Sequence, residues 1–429
     1  MRGLLLGSLG ILLLAHTAQA QLRVPAVPLM QQPLAALQPV RAAGQAEVSD
    51  ALNPGRRLAA AALLRSSPGR LEADPQGNPA VRDELLAYRS PEELPAAVGR
   101  AGFTVLRAVH SEALGVSVCV LAPPRGTRSR GGLAMLRALD PAGLYDYNHL
   151  YLGGGELQET PRSTPSGAAG DMPTVRGVRV GLIDTGIDQA HPAFHDARIR
   201  AWGCGGRPQG AAHGTAVASL MIGRAPPFQG VLPAAQLYAA DIYCGEPTGG
   251  ALDALVGALG WLAQERVPVI NISLVGPPNA LLARVVAALV AQGFVLVAAV
   301  GNDGPAAPPL YPAAYPGVVG VTAVDAHLKV LIEAARGPQV MFAAFGADLA
   351  TAAGAAGYAR ARGTSFAAPV VAVLLATQLT APGHDAATAA LEALSQTAIH
   401  PGHPGRDLTY GFGVVGAQYR NDPPTLLRR

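Results

Sequence analysis

Three short stretches of this chain carry the residue types of nucleophilic catalysis. Gly363 to Pro369 reads "GTSFAAP" and sets Ser365 among glycine, threonine and alanines, directly before the apolar run "VVAVLLATQL". A nucleophilic serine needs close approach by the substrate backbone and N–H donors for the charge that develops on the attacked carbonyl. Small neighbours permit that approach. A helix beginning here would seat Ser365 at its N-terminus, where unpaired N–H groups and the positive dipole end face a bound anion. Pro369 fits such a start if it falls in the first turn, where its missing N–H costs little. The same text also serves as an ordinary capped helix start, so other residues must decide.

"VRVGLIDTGID" places Asp184 at the end of an apolar stretch whose other charge is Arg179, and "AAHGTAVASLMIG" places His213 before Gly214 and Thr215. A carboxylate buried there is costly unless paired, which makes a histidine partner a reasonable expectation. "VAAVGNDGP" puts Asn302 between glycines after a further apolar run, where its amide could donate to an oxyanion. Each alone has a structural explanation: a capping aspartate, a helix-start histidine, an Asn/Gly turn. Together they suit one reaction. Ser365 would attack a carbonyl, His213 would take its proton, and Asp184 would fix the imidazole tautomer and stabilise the imidazolium.

These residues need a scaffold, and the text after Arg176 supplies one. "VRVGLI", "AQLYAADI", "VPVINISL", "FVLVAAV" and "VVGVTAV" read as strands, with "ALDALVGALGWLAQE" and "NALLARVVAALVAQG" as helices between them. Alternating elements with almost continuously apolar strands predict an α/β fold: a doubly wound, mostly parallel sheet with helices on both faces. In such sheets ligands bind outside the carboxyl ends of the strands. The candidates fall at those ends.

"IDTGID", "HGTAVAS", "INISLVGP", "AAVGNDG" and "GTSFAAP", in that order, resemble the subtilisin-like serine peptidases over about residues 177 to 420. The resemblance implies a peptide-bond hydrolase with an Asp184, His213, Ser365 triad and an oxyanion hole of Asn302 and the Ser365 backbone N–H. It further implies that Ser273, Leu274, Val275 and Gly276 form the edge against which an extended substrate pairs as an added strand. Two positions depart from the family pattern. Ala216 stands where a second histidine is common. Val275 replaces a common glycine, and its branched side chain is expected to narrow the primary pocket and favour small residues before the scissile bond.

Upstream, residues 1–20, "MRGLLLGSLGILLLAHTAQA", read as a secretory signal peptide with a small-x-small cleavage pattern. Residues 21–95, rich in Ala, Pro and Arg, read as linker or weakly ordered structure. Residues 96–152 read as a small α+β unit: "FTVLRAV" and "GVSVCVLAPP" as strands, with "GGLAMLRALDP", between them and "YDYNHLYL", as a helix. By resemblance this is the family's inhibitory pro-domain, an intramolecular partner of the peptidase domain. Residues 153–176 form a Gly/Pro/Ser/Thr-rich connector, the expected place of a maturation cut between Gly153 and Gly177, and 421–429 a polar tail.

The 429 residues are 50% hydrophobic and 14% charged, with a net charge of +3 and scattered arginines, which argues against a nucleic-acid surface. No membrane anchor is read, and a monomer is expected. Export to the periplasm or the exterior permits disulfides. Of three cysteines, Cys204 and Cys244 lie in Gly-containing loops and are expected to pair; Cys119 would leave with the pro-segment. His191 and His195 are separated by Pro192, and His400 and His403 sit in "HPGHPG"; none is assigned a metal. No cofactor is assigned, and calcium, common in the family, finds no run of alternating acidic residues here. The competing readings are a catalytically silent peptide-binding relative and an esterase or amidase. The latter would be expected to carry a Gly-x-Ser-x-Gly elbow, which Gly-Thr-Ser-Phe-Ala is not.

Overall fold

The computed structural model describes residues 54–160, 175, 177–225, 228–246, 249–354, 356–402 and 405–423. The signal-peptide reading, connector residues 161–174, His403 and the end of the tail lie outside the described residues.

Strands of Val, Ile, Leu and Ala, apolar on both faces, assemble into a sheet buried on both sides except at one exposed edge strand. Among the described residues it has seven strands, ordered Val340–Phe345, Val319–Val324, Val295–Ala299, Val269–Ile272, Arg179–Asp184, Gln236–Asp241 and Arg198–Trp202. Every neighbouring pair is parallel. Side chains alternate across the pleat. Val180 and Leu182 join the core under helices Ala212–Ile222 and Thr364–Ala376, whereas Ile183, Ile270 and Ile272 pack against Leu252–Gln264 and Ala280–Ala291. The order reverses at Arg179–Asp184, the first strand of the sheet and the fifth across it. Arg198–Trp202, not anticipated, is an edge strand whose alternating arginines hide it from an apolar pattern.

The upstream unit is an antiparallel sheet in which Pro79–Ala87 lies between Val116–Ala122 and Tyr145–Gly153, with Thr104–Ser111 outside. This corrects the weakly ordered reading for residues 54–95, the described part of 21–95. The strand escaped notice because the register shifts between Ala80 and Leu85, where Asp83 has φ 56° and the charged run Arg82, Asp83, Glu84 breaks the alternation. One face carries helix Ser129–Leu139 over Leu85, Phe103, Leu121 and Tyr145. The other presents Leu86, Val116, Val118 and Val120 to helices of the parallel-sheet domain. Gly260 of Leu252–Gln264 allows the closest approach, since a Cβ there would lie 2.8 Å from the Ser111 side chain. The boundary after residue 152 is also corrected: the strand runs on to Gly153, and Glu156–Thr160 continues as a strand. Asn421, read as the first tail residue, is buried and hydrogen-bonds the main chain of Gln229 through both side-chain atoms.

Candidate active site

Asp184 ends its strand fully buried, with Oδ1 accepting from the Thr185 N–H at 2.7 Å. His213, in the first turn of Ala212–Ile222, brings Nδ1 to 2.8 and 3.0 Å from the two carboxylate oxygens. That geometry places the proton on Nδ1 and leaves Nε2 free to accept one. Burial pushes the His213 pKa down, but the charge and hydrogen bond of Asp184 outweigh it and the net shift is upward. Nε2 is buried and makes no well-formed hydrogen bond, while the Gly154 main chain lies close enough to add to the upward shift. Gly153 lies over it: a Cβ on that glycine would sit 3.3 Å from Nε2.

Ser365 is the second residue of Thr364–Ala376 and fully buried. The preceding Gly363 has φ 140°, a conformation that favours glycine, and a Cβ there would meet the Gly155 Cα at 2.6 Å. Ser365 Oγ donates to the Ser273 carbonyl at 3.0 Å and accepts the Gly154 N–H at 3.2 Å. Pro369 is not in the first turn, as the sequence suggested, but in the second, where proline removes a helical hydrogen bond from the carbonyl four residues back. That carbonyl belongs to Ser365, and the Ser273 hydroxyl donates to it at 2.9 Å. Asn271 holds the Ser273 hydroxyl in turn, Nδ2 to Oγ, at 2.8 Å. These two supporting roles were missed, because they depend on where the helix begins.

Asn302 follows the strand Val295–Ala299. Its Oδ1 accepts the Thr364 N–H at 3.0 Å, which aims Nδ2 at the serine. Nδ2 is buried without a partner, 3.1 Å from where a Gly154 Cβ would be. The four residues expected to act together are therefore brought together around Gly153 and Gly154.

The chain itself occupies the cleft. Leu274 pairs with Gly153 and Val275 with Leu152, antiparallel, while Gly250 and Ala251 pair with Tyr151 and Leu150 on the other side. Beyond the serine, Glu156–Thr160 pairs with Gly357–Arg362. Gly276 underlies the Tyr151 ring, which a Cβ would strike at 2.6 Å, and the Tyr151 hydroxyl donates to the Pro277 carbonyl at 3.0 Å. Leu274, Val275 and Gly276 thus line the segment in the cleft, whereas Ser273 is engaged with Asn271 and Ser365. Gly250–Ala251 was not foreseen; a two-residue strand carries no pattern.

Cys204 and Cys244 form a disulfide with Cα atoms 5.2 Å apart, and Cys119 is buried and free. His191 uses both ring nitrogens on main-chain atoms, of Gly357 and Ala193. His195 lies against Asp196, and His400 Nδ1 accepts from the Gly402 N–H. Among the described residues, the one cluster of His, Cys, Asp or Glu close enough to hold a metal is Cys204, Asp241 and Cys244. Both its sulfurs are spent in the disulfide, and calcium takes six to eight oxygens, so the cluster does not fit that ion. No helix of the described residues is long and apolar enough to cross a membrane.

Residues 175–413 match the Subtilase family, Peptidase_S8. The chain is 28% identical over 256 residues to the minor extracellular protease Epr of Bacillus subtilis, an overlap of 58% of this chain and 38% of that protein. It is 30% identical over 259 residues to subtilisin E of the same organism, covering 57% of this chain and 66% of the relative. The match thus spans less than two thirds of either relative. In three dimensions it is similar to fervidolysin of Fervidobacterium pennivorans, described as a keratinolytic enzyme related to subtilisin, with a TM-score of 0.62 at 18% identity over 81% of this chain and 62% of that one. That likeness is one of fold.

Proposed function

The chain belongs to the subtilase family, and from that premise we propose that it is an exported serine endopeptidase made as a self-cleaving precursor. Ser365 is the nucleophile, His213 the general base, Asp184 the group that orients it, and Asn302 Nδ2 with the Ser365 N–H the oxyanion hole. The observation that carries this reading is the segment of residues 150–160, threaded through the cleft with Gly153 over His213 and Gly154 against Ser365 and Asn302.

The register supports Gly154–Gly155 as the bond cut. Rotation of Ser365 Oγ from the Ser273 carbonyl towards His213 Nε2 makes it a nucleophile. Oγ attacks the Gly154 carbonyl carbon as its proton passes to Nε2. The carbonyl oxygen gains negative charge and takes hydrogen bonds from Asn302 Nδ2 and the Ser365 N–H. His213 then protonates the Gly155 nitrogen, which leaves. Water, deprotonated by His213, releases the acyl group from Ser365. Gly154 places no side chain in the pocket that Val275 is expected to narrow.

Export is supported by the pattern of the first twenty residues and by a disulfide of the kind that persists in oxidising compartments. The test is intact mass after secretory expression of wild type and Ser365→Ala. The expected wild-type product begins at Gly155, while the variant keeps the upstream unit. Equal masses, both long or both trimmed, would overturn self-cleavage.

A further inference from the structure

The strand in the cleft is held on one side by Leu274 and Val275. On the other, Gly250 and Ala251 pair with Tyr151 and Leu150, and among the described residues the main-chain ladder stops short of Gly153. An extended strand points the C=O of one residue and the N–H of the residue two further on to the same side. Here those groups are the Tyr151 C=O and the Gly153 N–H, and one phenol meets both. The Gly153 N–H donates to the Tyr243 hydroxyl at 2.8 Å, and that hydroxyl donates to the Tyr151 C=O at 3.1 Å.

We propose that Tyr243 is a substrate-positioning residue whose hydroxyl clamps the main chain of peptide substrates. It accepts from the N–H of the second residue before the scissile bond and donates to the C=O of the fourth. The proposal rests on the peptidase reading above and on Gly154 being the first residue before the cut. Both contacts are to backbone atoms, so they are available to any extended peptide. The exception is proline at the second position, which has no N–H to offer.

The phenol is built into place. The N–H groups of Tyr243 and Cys244 both donate to Oδ1 of the buried Asp241, each at 2.9 Å. The next residue, Cys244, is tied to Cys204 by the disulfide. Burial, reinforced by the nearby Asp184 charge, pushes the Tyr243 pKa upward, which keeps the hydroxyl protonated and able to donate while it accepts. Beside the described strand Gly250–Ala251 the phenol thereby adds one side-chain rung.

The test uses wild type and Tyr243→Phe, each expressed as the full chain and left to mature. They are assayed on two peptides that carry Tyr-Leu-Gly-Gly before the scissile bond. In one, the second residue before the cut is glycine; in the other it is glycolic acid, which replaces the N–H by an ester oxygen without adding bulk. Wild type is expected to favour the amide peptide in kcat/KM by about three- to tenfold, the worth of one hydrogen bond, mostly through KM. The Phe variant is expected to lose that preference. The same preference in both enzymes would overturn the clamp. Should the variant fail to mature, the wild-type ratio decides: about threefold or more supports the clamp, and a ratio of one overturns it. A small fluorophosphonate that reacts with Ser365 without reaching Tyr243 separates the two failures. Labelling of wild type with no preference defeats the clamp alone, whereas no labelling and no turnover defeats the peptidase reading and the clamp with it.

Discussion

His213 stands between two opposed effects, burial that disfavours its charge and a carboxylate at 2.8 Å that favours it, and the carboxylate prevails. A base must be neutral to accept the serine proton, so activity is lost as pH falls through the His213 pKa. Because that value is raised, the acid limb of kcat/KM should lie above the ordinary imidazole value of about 6.5, and Asp184→Asn should move it down. A wild-type limb at or below the ordinary value would contradict the assignment. Stability runs the other way: the contribution from the pair is fully present below the unfolded-state pKa and is lost as pH rises through the folded one. The four residues of this site were legible because each needs small neighbours and follows an apolar strand or opens a helix. Tyr243 was not, since nothing local distinguishes a loop tyrosine that faces a substrate from one that faces solvent.

The helix that carries Ser365 depends on a segment 92 residues away in sequence. Pro369 deprives the Ser365 carbonyl of its helical partner, and the Ser273 hydroxyl takes the vacant place while its own carbonyl accepts from Ser365 Oγ. Strand end and helix start are thus locked by a reciprocal pair. In a Ser365→Ala background, which stops self-cleavage, Ser273→Ala should destabilise by about 1–3 kcal/mol, the cost of a buried unpaired carbonyl. Adding Pro369→Ala restores an N–H within reach and should recover part of that loss. Urea midpoints at unchanged slope measure it; purely additive effects of the two substitutions would rule the compensation out. A proline in "GTSFAAP" could be read from sequence as a helix-start marker, but which turn it occupies follows from Gly363, not from the proline.

The upstream unit is docked as a second layer on the peptidase domain, by apolar side chains over Leu252–Gln264 and by a polar seam. Arg107 reaches Asp253 at 2.7 Å and Glu84 at 2.6 Å, and Asn148 Nδ2 donates to Asp253 at 2.9 Å. Asp253 is 6% exposed, and removal of its carboxylate takes one contact each from Arg107 and Asn148, both of which keep Glu84. Asp253→Ala should shorten the lag between self-cleavage and the appearance of peptidase activity about tenfold, a charge-assisted contact reduced by the half-exposed Arg107. Turnover of a small peptide by the matured enzyme should not change. An unaltered lag would show that the seam does not retain the cleaved unit.

By itself the sequence determined the class of the sheet, the strand ends at which Asp184 and Asn302 sit, and the glycine- and alanine-lined start of the serine helix. Those are local properties: runs of apolar residues, and small side chains where backbones must approach. Only the tertiary structure decided that Pro79–Ala87 is a central strand, that residues 150–160 lie in the cleft rather than ahead of it, and which atoms satisfy the Ser365 carbonyl, the Gly153 N–H and Asp253. Each of these is a pairing between groups tens to hundreds of residues apart. A hydrogen bond is indifferent to the sequence separation of its partners, so it leaves no periodicity from which either could have been named in advance.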